Sequence, residues 1–167
     1  MKLPKTYTDR NETGCCAVPN TKDWDEQEVT FEEKRFIRMY TRSLFFVPLN
    51  MSKVMTRIQE LANTAGAEMP PQDGMILSRD LSPWKAEQLY AVKKPVEGAD
   101  NVTLSGKFVT KVFEGQYQDV KKWYDTLREY VASRGETASH VYFFYTTCPK
   151  CAKHYGKNYV IGLAQVA

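Results

Sequence analysis

Residues 101–135 read NVTLSGKFVTKVFEGQYQDVKKWYDTLREYVASRG and contain the pattern that decides the fold. The segment from Val102 to Phe113 predicts a strand, and Gln116 to Arg134 predicts a helix. The helix is indicated by apolar residues that recur at helical spacing, namely Val120, Trp123, Tyr124, Leu127, Tyr130 and Val131. Two further strands are predicted at 140–145 and 159–166. The second half of the chain is therefore a strand-helix-strand-strand unit.

The same order of elements occurs earlier in the chain. Residues 44–47 form a short apolar run, and a helix is predicted between Asn50, which can cap it, and Gly66, which can end it. Strands are predicted at 75–77 and 84–92. Two copies of one supersecondary unit are thus indicated, although few residue identities repeat.

We therefore predict an α+β fold built from two strand-helix-strand-strand units, at about 41–96 and 101–167. Each unit alone would leave one sheet face uncovered. Two units can place their antiparallel sheets side by side and leave a concave ligand cleft on the side away from the helices. Residues 1–40 show no sustained period and are predicted to be an N-terminal extension packed on the domain, 41–167.

The length and the net charge of the chain indicate which classes of protein it can belong to. The chain has 167 residues, and its 23 Lys and Arg against 20 Asp and Glu give a net charge of +3. This surplus is too small to predict direct nucleic-acid binding. No apolar run approaches the roughly 18 residues of a membrane span, and Met1 to Arg10 does not resemble a signal peptide. We expect a cytoplasmic protein with no membrane partner.

Four stretches carry a resemblance to a known family: Gly106 to Tyr117, Leu81 to Glu87, Tyr145 to Gly156, and Gly14-Cys15-Cys16. Over roughly residues 40–167 the chain resembles the GyrI-like small-molecule-binding family, and in particular a bacterial branch often labelled "hydrolase". The resemblance implies paired units around a central ligand cleft.

Members of the wider family act in three ways. They are effector-binding domains of multidrug-responsive regulators, stand-alone modulators of DNA gyrase, or hydrolases that open the cyclopropane of DNA-alkylating natural products. Because the sequence contains no separate DNA-binding domain, we do not expect the regulator role.

Glu87 is the first candidate functional residue. On a strand it would share a face with Leu89 and Ala91, so its carboxylate should be partly desolvated. The resemblance also implies a buried Glu on this strand that meets a cationic or polar ligand. Such a carboxylate can anchor a cation or activate a water molecule. The alternative is an exposed Glu on an edge strand, paired with Lys85.

Trp84 is predicted to stack on a flat or cationic ligand. Strict alternation puts Trp84 and Glu87 on opposite faces, so both line one cleft only if Trp84 belongs to the loop after Pro83 or a bulge intervenes. The alternative is a core Trp.

Two tyrosines can present a hydroxyl to a ligand or leaving group: Tyr117 at the start of the second helix and Tyr145 at the end of a strand. Either could equally be a wall residue. Tyr90 and Phe113 complete the predicted ligand-binding residues, and Glu87 and Tyr145 are the predicted catalytic ones.

Cys148 and Cys151 have the two-residue spacing of many metal sites. A zinc ion would need further ligands, which could come from Cys15, Cys16 or His154. Neighbouring cysteines are a poor chelate, however, so we predict buried thiols and no metal. No cofactor is predicted, since phosphate-binding glycine motifs are lacking.

The predicted function is binding of a flat hydrophobic or cationic small molecule, a xenobiotic, in an aromatic cleft. Its sharper version is hydrolysis of an electrophilic aromatic compound such as a cyclopropanoid. In that version Trp84 and Tyr117 hold the scaffold, Glu87 activates water, and Tyr145 polarises the leaving group. The alternative is a non-catalytic module that sequesters ligands or modulates a protein partner such as gyrase.

Overall fold

Strands dominate the chain, and two long helices pack on them. The structure is a computed structural model that describes residues 3–14, 16–116, 119–147 and 149–167. In chain order the elements are β1 (Gln27–Leu44), β2 (Val47–Pro48), α1 (Met51–Thr64), a 3-10 turn (Pro71–Asp73), β3 (Ile76–Ser82), β4 (Lys85–Ala91), β5 (Asp100–Glu114), α2 (Val120–Ser133), β6 (Ala138–Tyr145), α3 (Pro149–Tyr155) and β7 (Tyr159–Val166).

The strands form one antiparallel sheet that closes on itself. Its order is β2-β1-β4-β3-β6-β7-β5, and β1 also pairs with β5. Between β3 and β6 the ladder contains a single pair, Ser78 opposite Phe143. The α+β class and the duplicated strand-helix-strand-strand order are confirmed. Closure differs from the expectation, which placed the antiparallel sheets of the two units side by side: the long strand β1 pairs with both β4 and β5 and so closes the sheet.

The face away from the helices is the interior of this ring, and it is filled. Every strand of the ring contributes buried side chains to one cluster: Trp24, Val29, Phe31, Phe36, Met75, Leu77, Leu89, Ala91, Phe108, Tyr142, Phe144, Ile161 and Leu163. Alternation along each strand sends these residues inward and their neighbours to the helix side. The interior is therefore a packed core.

Strand β1 is where the predicted and observed elements differ most. The apolar run at 44–47 was predicted as a strand, which is wrong, because Phe45 and Phe46 form the turn between β1 and β2. The real strand begins at Gln27. Its pairing with β5 shifts register between Phe31 and Lys34. This bulge interrupts the alternation of apolar and polar residues that normally identifies a strand in a sequence. The boundary predicted at residue 40 falls inside β1, and the division into extension and domain stays a prediction.

The two long helices lie on the outer face of the ring. Helix α1 packs Ile58 and Ala62 on the β1–β4 side, and α2 packs Trp123, Leu127 and Val131 on the β5–β6–β7 side. Both helices are followed by a glycine with positive φ, Gly66 at 63° and Gly135 at 76°, as their predicted stops require. Two covered stretches of the ring are thus separated by a stretch around β3 that neither helix covers.

Residues before β1 pack against one end of the ring. Trp24 is fully buried in the core, and its ring N–H donates to the carbonyl of Lys5 at 3.0 Å. The Tyr7 hydroxyl donates to the carbonyl of Thr146 at 2.6 Å. Among the described residues, no helix is both long and apolar enough to cross a membrane.

Candidate functional site

A groove of about 170 Å³ lies over the uncovered stretch of the ring, between α1 and α2. Strands β3, β4 and β6 form its floor, and each helix contributes one side chain to its rim. The lining residues are Pro48, Met51, Ser78, Arg79, Asp80, Ala86, Gln88, Tyr124, Ser139, His140, Val141, Phe143 and Tyr145. Hydrophobic and aromatic groups with a few polar groups among them are typical of small-molecule sites.

The polar part of the floor is mostly satisfied within the protein. Ser78 Oγ donates to Gln88 Oε1, and Gln88 Nε2 donates to Thr41 Oγ1 at 3.3 Å. Gln88 and Thr41 are buried. Two neighbouring strands therefore hold the amide of Gln88 in one orientation, which gives the floor a fixed polar surface.

The Asp80 carboxylate is not part of this network. It lies two residues after Ser78 on β3, so both side chains reach the groove face. In the described part of the chain, no group forms a hydrogen bond or salt bridge with its carboxylate, and burial raises the pKa of Asp80. Asp80 is exposed on the groove face, so the groove presents a negative charge with which no group in the described part of the chain is paired, and such a charge would favour a cationic ligand group.

Aromatic side chains form the side of the groove next to α2. Phe143 and Tyr145 alternate on β6 and face this side, and Tyr124 approaches from the helix. The Phe143 ring lies 6.5 Å from that of Trp123, which stacks on Phe113 at 5.8 Å. The wall is therefore continuous with the core beneath α2, and this packing keeps it rigid.

Glu87 lies on the opposite face of β4 from the groove. It is 4% exposed at the edge of the ring interior. Arg79 Nε donates to Glu87 Oε1 at 2.8 Å, and a nitrogen of Arg38 lies 3.7 Å from Oε2. Burial and the charge of Glu87 together raise the pKa of Tyr142, whose ring Arg79 overlies at 5.7 Å. Two guanidinium groups compensate the buried charge of Glu87.

The family model described as "Bacterial hydrolase" matches residues 6–166. The chain belongs to this family. A search of curated protein sequences finds no match.

Solved structures share the fold at low sequence identity. The C-terminal domain of EcmrR is 13% identical, with 86% of this chain and 98% of that chain covered and a TM-score of 0.67. A hydrolase from Listeria innocua is 9% identical, with coverages of 86% and 92% and a TM-score of 0.61. SAV2435 bound to tetraphenylphosphonium is 13% identical, with coverages of 84% and 93% and a TM-score of 0.50. The resemblance to the GyrI-like fold family is confirmed.

The structure places the predicted site residues in different surroundings. Tyr145 lines the groove, whereas Phe113 is buried behind its wall. Trp84 lies in the turn between β3 and β4, where its ring packs 5.0 Å from Phe45. Tyr90 lines a second cavity, of about 320 Å³, between the N-terminal segment and α1. Tyr117 lies outside the described residues.

Sequence reasoning missed Asp80, Tyr124 and His140, all of which line the groove. One signal could have found Asp80. Ser78 and Asp80 alternate on a strand next to a strand with a polar Gln88 on the same face, so three polar groups converge where a buried core face would be apolar.

Two of the four cysteines are described. Cys16 is half-buried, and Cys151 is buried with its sulfur 3.2 Å from Thr13 Oγ1. The Tyr155 hydroxyl on α3 donates to the carbonyl of Cys16 at 2.7 Å, which fastens the N-terminal segment to this helix. Cys15 and Cys148 lie outside the described residues, so the prediction of thiols without metal stays a prediction.

Proposed function

We propose that this protein binds a small molecule with a flat aromatic part and a positive charge in the groove between α1 and α2. The observation that carries the proposal is the Asp80 carboxylate, which lines the groove and has no counter-ion in the described part of the chain. Tyr124, Phe143 and Tyr145 would contact the aromatic part of the ligand, and rings of this kind also attract cations. The ligand bound to SAV2435, tetraphenylphosphonium, is itself an aromatic cation.

Two carboxylates compete for the role of anchor. Glu87 was the candidate from the sequence, and it stays a prediction. Its charge is already paired with Arg79 and Arg38, and its neighbours Ala86 and Gln88 line the groove while it does not. A cation gains more from an unpaired carboxylate than from one that two guanidinium groups already neutralise. We therefore assign the anchor to Asp80.

Replacing Asp80 by Asn is expected to weaken tetraphenylphosphonium binding by about tenfold or more, because a partly desolvated charge pair is lost while the shape is kept. Glu87→Gln is the comparison variant, and because Glu87 does not line the groove, its effect on the affinity should be smaller than that of Asp80→Asn. Isothermal titration calorimetry measures both.

Neutral triphenylphosphine oxide separates charge from shape, since its affinity should be the same for the natural protein and Asp80→Asn. Loss of cation binding in Glu87→Gln with full binding in Asp80→Asn would return the anchor to Glu87.

Binding of this cation should depend on pH. Tetraphenylphosphonium has a permanent charge, so only protein groups titrate, and affinity should fall as the pH drops through the raised pKa of Asp80. The loss should begin at a higher pH than for an Asp with its ordinary pKa of about 3.9. His140 also lines the groove, so the titration is done in a His140→Gln background; a profile that persists after adding Asp80→Asn would contradict this assignment.

The free protein should show the opposite dependence. A carboxyl whose pKa is raised by folding binds more protons in the folded state, so the contribution of Asp80 to the free energy of unfolding falls as the pH rises through that pKa. Acid therefore stabilises the empty groove and weakens the complex. The two opposing trends distinguish loss of the anchor from general acid unfolding.

Hydrolysis is the second candidate, and the description of the family favours testing it. In this version a groove carboxylate activates water while the Tyr145 hydroxyl polarises the leaving group of an electrophilic aromatic substrate. Incubation with cyclopropane, epoxide and ester compounds, followed by mass spectrometry, detects hydrolysis as a gain of one water for an opened ring, or as an acid and an alcohol from an ester. Binding without hydrolysis would favour the non-catalytic module, whose protein partner, such as gyrase, would then be sought by direct titration.

A further inference from the structure

Two adjacent turns at one end of the ring expose a continuous apolar surface. The backbone N–H of Phe46 donates to the carbonyl of Pro83 at 2.9 Å, and the backbone N–H of Ser43 donates to the carbonyl of Trp84 at 2.8 Å. These two hydrogen bonds hold the β1–β2 turn and the β3–β4 turn side by side. We call this surface the apolar tip; it consists of Leu44, Phe45, Phe46, Val47, Leu49, Leu81 and Trp84, all of them exposed. Phe45 alone is 70% exposed. A patch of this kind marks an interaction surface.

The backbone of the first turn is unfavourable for the residues that occupy it. Leu44 pairs with Val47, which leaves Phe45 and Phe46 as the two central residues, with φ of 49° and 70°. A two-residue turn with positive φ at both positions favours Asn and Gly. Large aromatic residues there conflict with folding preference, and such local conflict is characteristic of positions kept for function.

The charge around the apolar tip is mostly positive. Residues 40–57 contain Arg42, Lys53 and Arg57 and no Asp or Glu, in a chain whose totals are nearly balanced at 23 to 20. Lys85 follows Trp84, and all four basic side chains are exposed. Asp80 and Glu87 are the acidic residues nearest to the β3–β4 turn in sequence; Asp80 lines the groove, and Glu87 is paired with Arg79 and Arg38. The tip therefore complements a partner that is apolar within and negatively charged at its surface.

We propose that the apolar tip inserts into the interfacial region of a bilayer that contains anionic lipid. Phe45, Phe46 and Trp84 would enter the boundary between headgroups and acyl chains, where aromatic side chains are favoured. Arg42 and Lys85 would contact lipid phosphates. Two projecting turns can enter a bilayer, which deforms around them, whereas a protein partner would need a complementary concave surface.

This inference is independent of the proposed ligand. The expectation of no membrane partner rested on the lack of a spanning segment, and a surface contact of this kind needs none.

The test uses full-length protein and vesicles of phosphatidylcholine with or without phosphatidylglycerol. Trp24 and Trp123 are buried, so a blue shift of tryptophan emission on vesicle binding would report Trp84, which is 52% exposed. We expect the shift with anionic vesicles, its decrease with salt, and its loss in Trp84→Phe.

The double variant Phe45→Asn/Phe46→Gly separates binding from folding. It should lower vesicle affinity by about tenfold or more, because the two aromatic rings that would enter the bilayer are lost. It should also raise the midpoint of thermal unfolding, because Asn and Gly favour the backbone conformation of this turn. Arg42→Gln/Lys85→Gln should also weaken binding and flatten its salt dependence, whereas the charge-matched Lys121→Gln/Lys122→Gln on α2 should not.

Two results would overturn the proposal. The first is no binding of the natural protein to anionic vesicles at low salt. The second is a dimer in analytical ultracentrifugation that the Phe45→Asn/Phe46→Gly variant dissociates, since the tip would then be a contact between two copies of the chain.

Discussion

Replacing Phe108 by Ala is expected to lower the free energy of unfolding by about 3 to 5 kcal/mol, because it leaves a cavity in a filled core. Phe108 is fully buried inside the ring, with its ring centre 4.5 Å from that of Phe31 and 6.5 Å from that of Tyr142. Phe45→Ala makes the same chemical change on the surface and should cost less than about 1 kcal/mol. Urea denaturation followed by circular dichroism measures both.

The Phe108→Ala variant also tests where a ligand binds. If the groove is the site, folded Phe108→Ala protein should bind tetraphenylphosphonium as the natural protein does, because Phe108 lies in the core cluster on the other face of the sheet. A large change in affinity would place the ligand inside the ring. Equal stability of the two Phe variants would contradict the closed, filled core.

Adding a methyl group to Gly162 should destabilise the protein by about 1 to 3 kcal/mol through overpacking. A Cβ at this position would lie 2.9 Å from Leu127 Cδ2, 3.1 Å from Phe113 Cε2 and 3.4 Å from Phe143 Cε1. Gly162 thus lies where Leu127 of α2 packs directly on β7. Since Gly162 does not have a positive φ, the cost would come from packing alone.

Gly74→Ala is the matched control, because a Cβ there meets its nearest neighbour at 3.5 Å and the backbone is extended. It should be neutral or slightly stabilising, as the unfolded chain loses freedom. Thermal unfolding of Gly162→Ala and Gly74→Ala by calorimetry compares them directly. A Gly162→Ala protein as stable as Gly74→Ala would mean that α2 does not pack closely on β7.

The site was less accessible to sequence reasoning than the fold. Burial of Glu87 followed from its neighbours Leu89 and Ala91, but its partners did not. Arg79 reaches it across the β3–β4 hairpin and Arg38 from the neighbouring strand β1. Asp80 was not predicted. It stands out because no group among the described residues is paired with its carboxylate, and a sequence pattern cannot show which charges are paired in the folded chain.

The sequence by itself determined the α+β class, the duplicated order of elements and the two long helices with their glycine stops. These depend on periodicity and on residues close together in the chain, so local interactions specify them. Only the tertiary structure decided that β1 pairs with both β4 and β5, that the ring so closed is filled, and that the groove lies on the helix side. Strand partners and register depend on contacts between residues far apart in the chain. The β1 bulge between Phe31 and Lys34 also interrupts the alternation that would have identified β1 as one long strand.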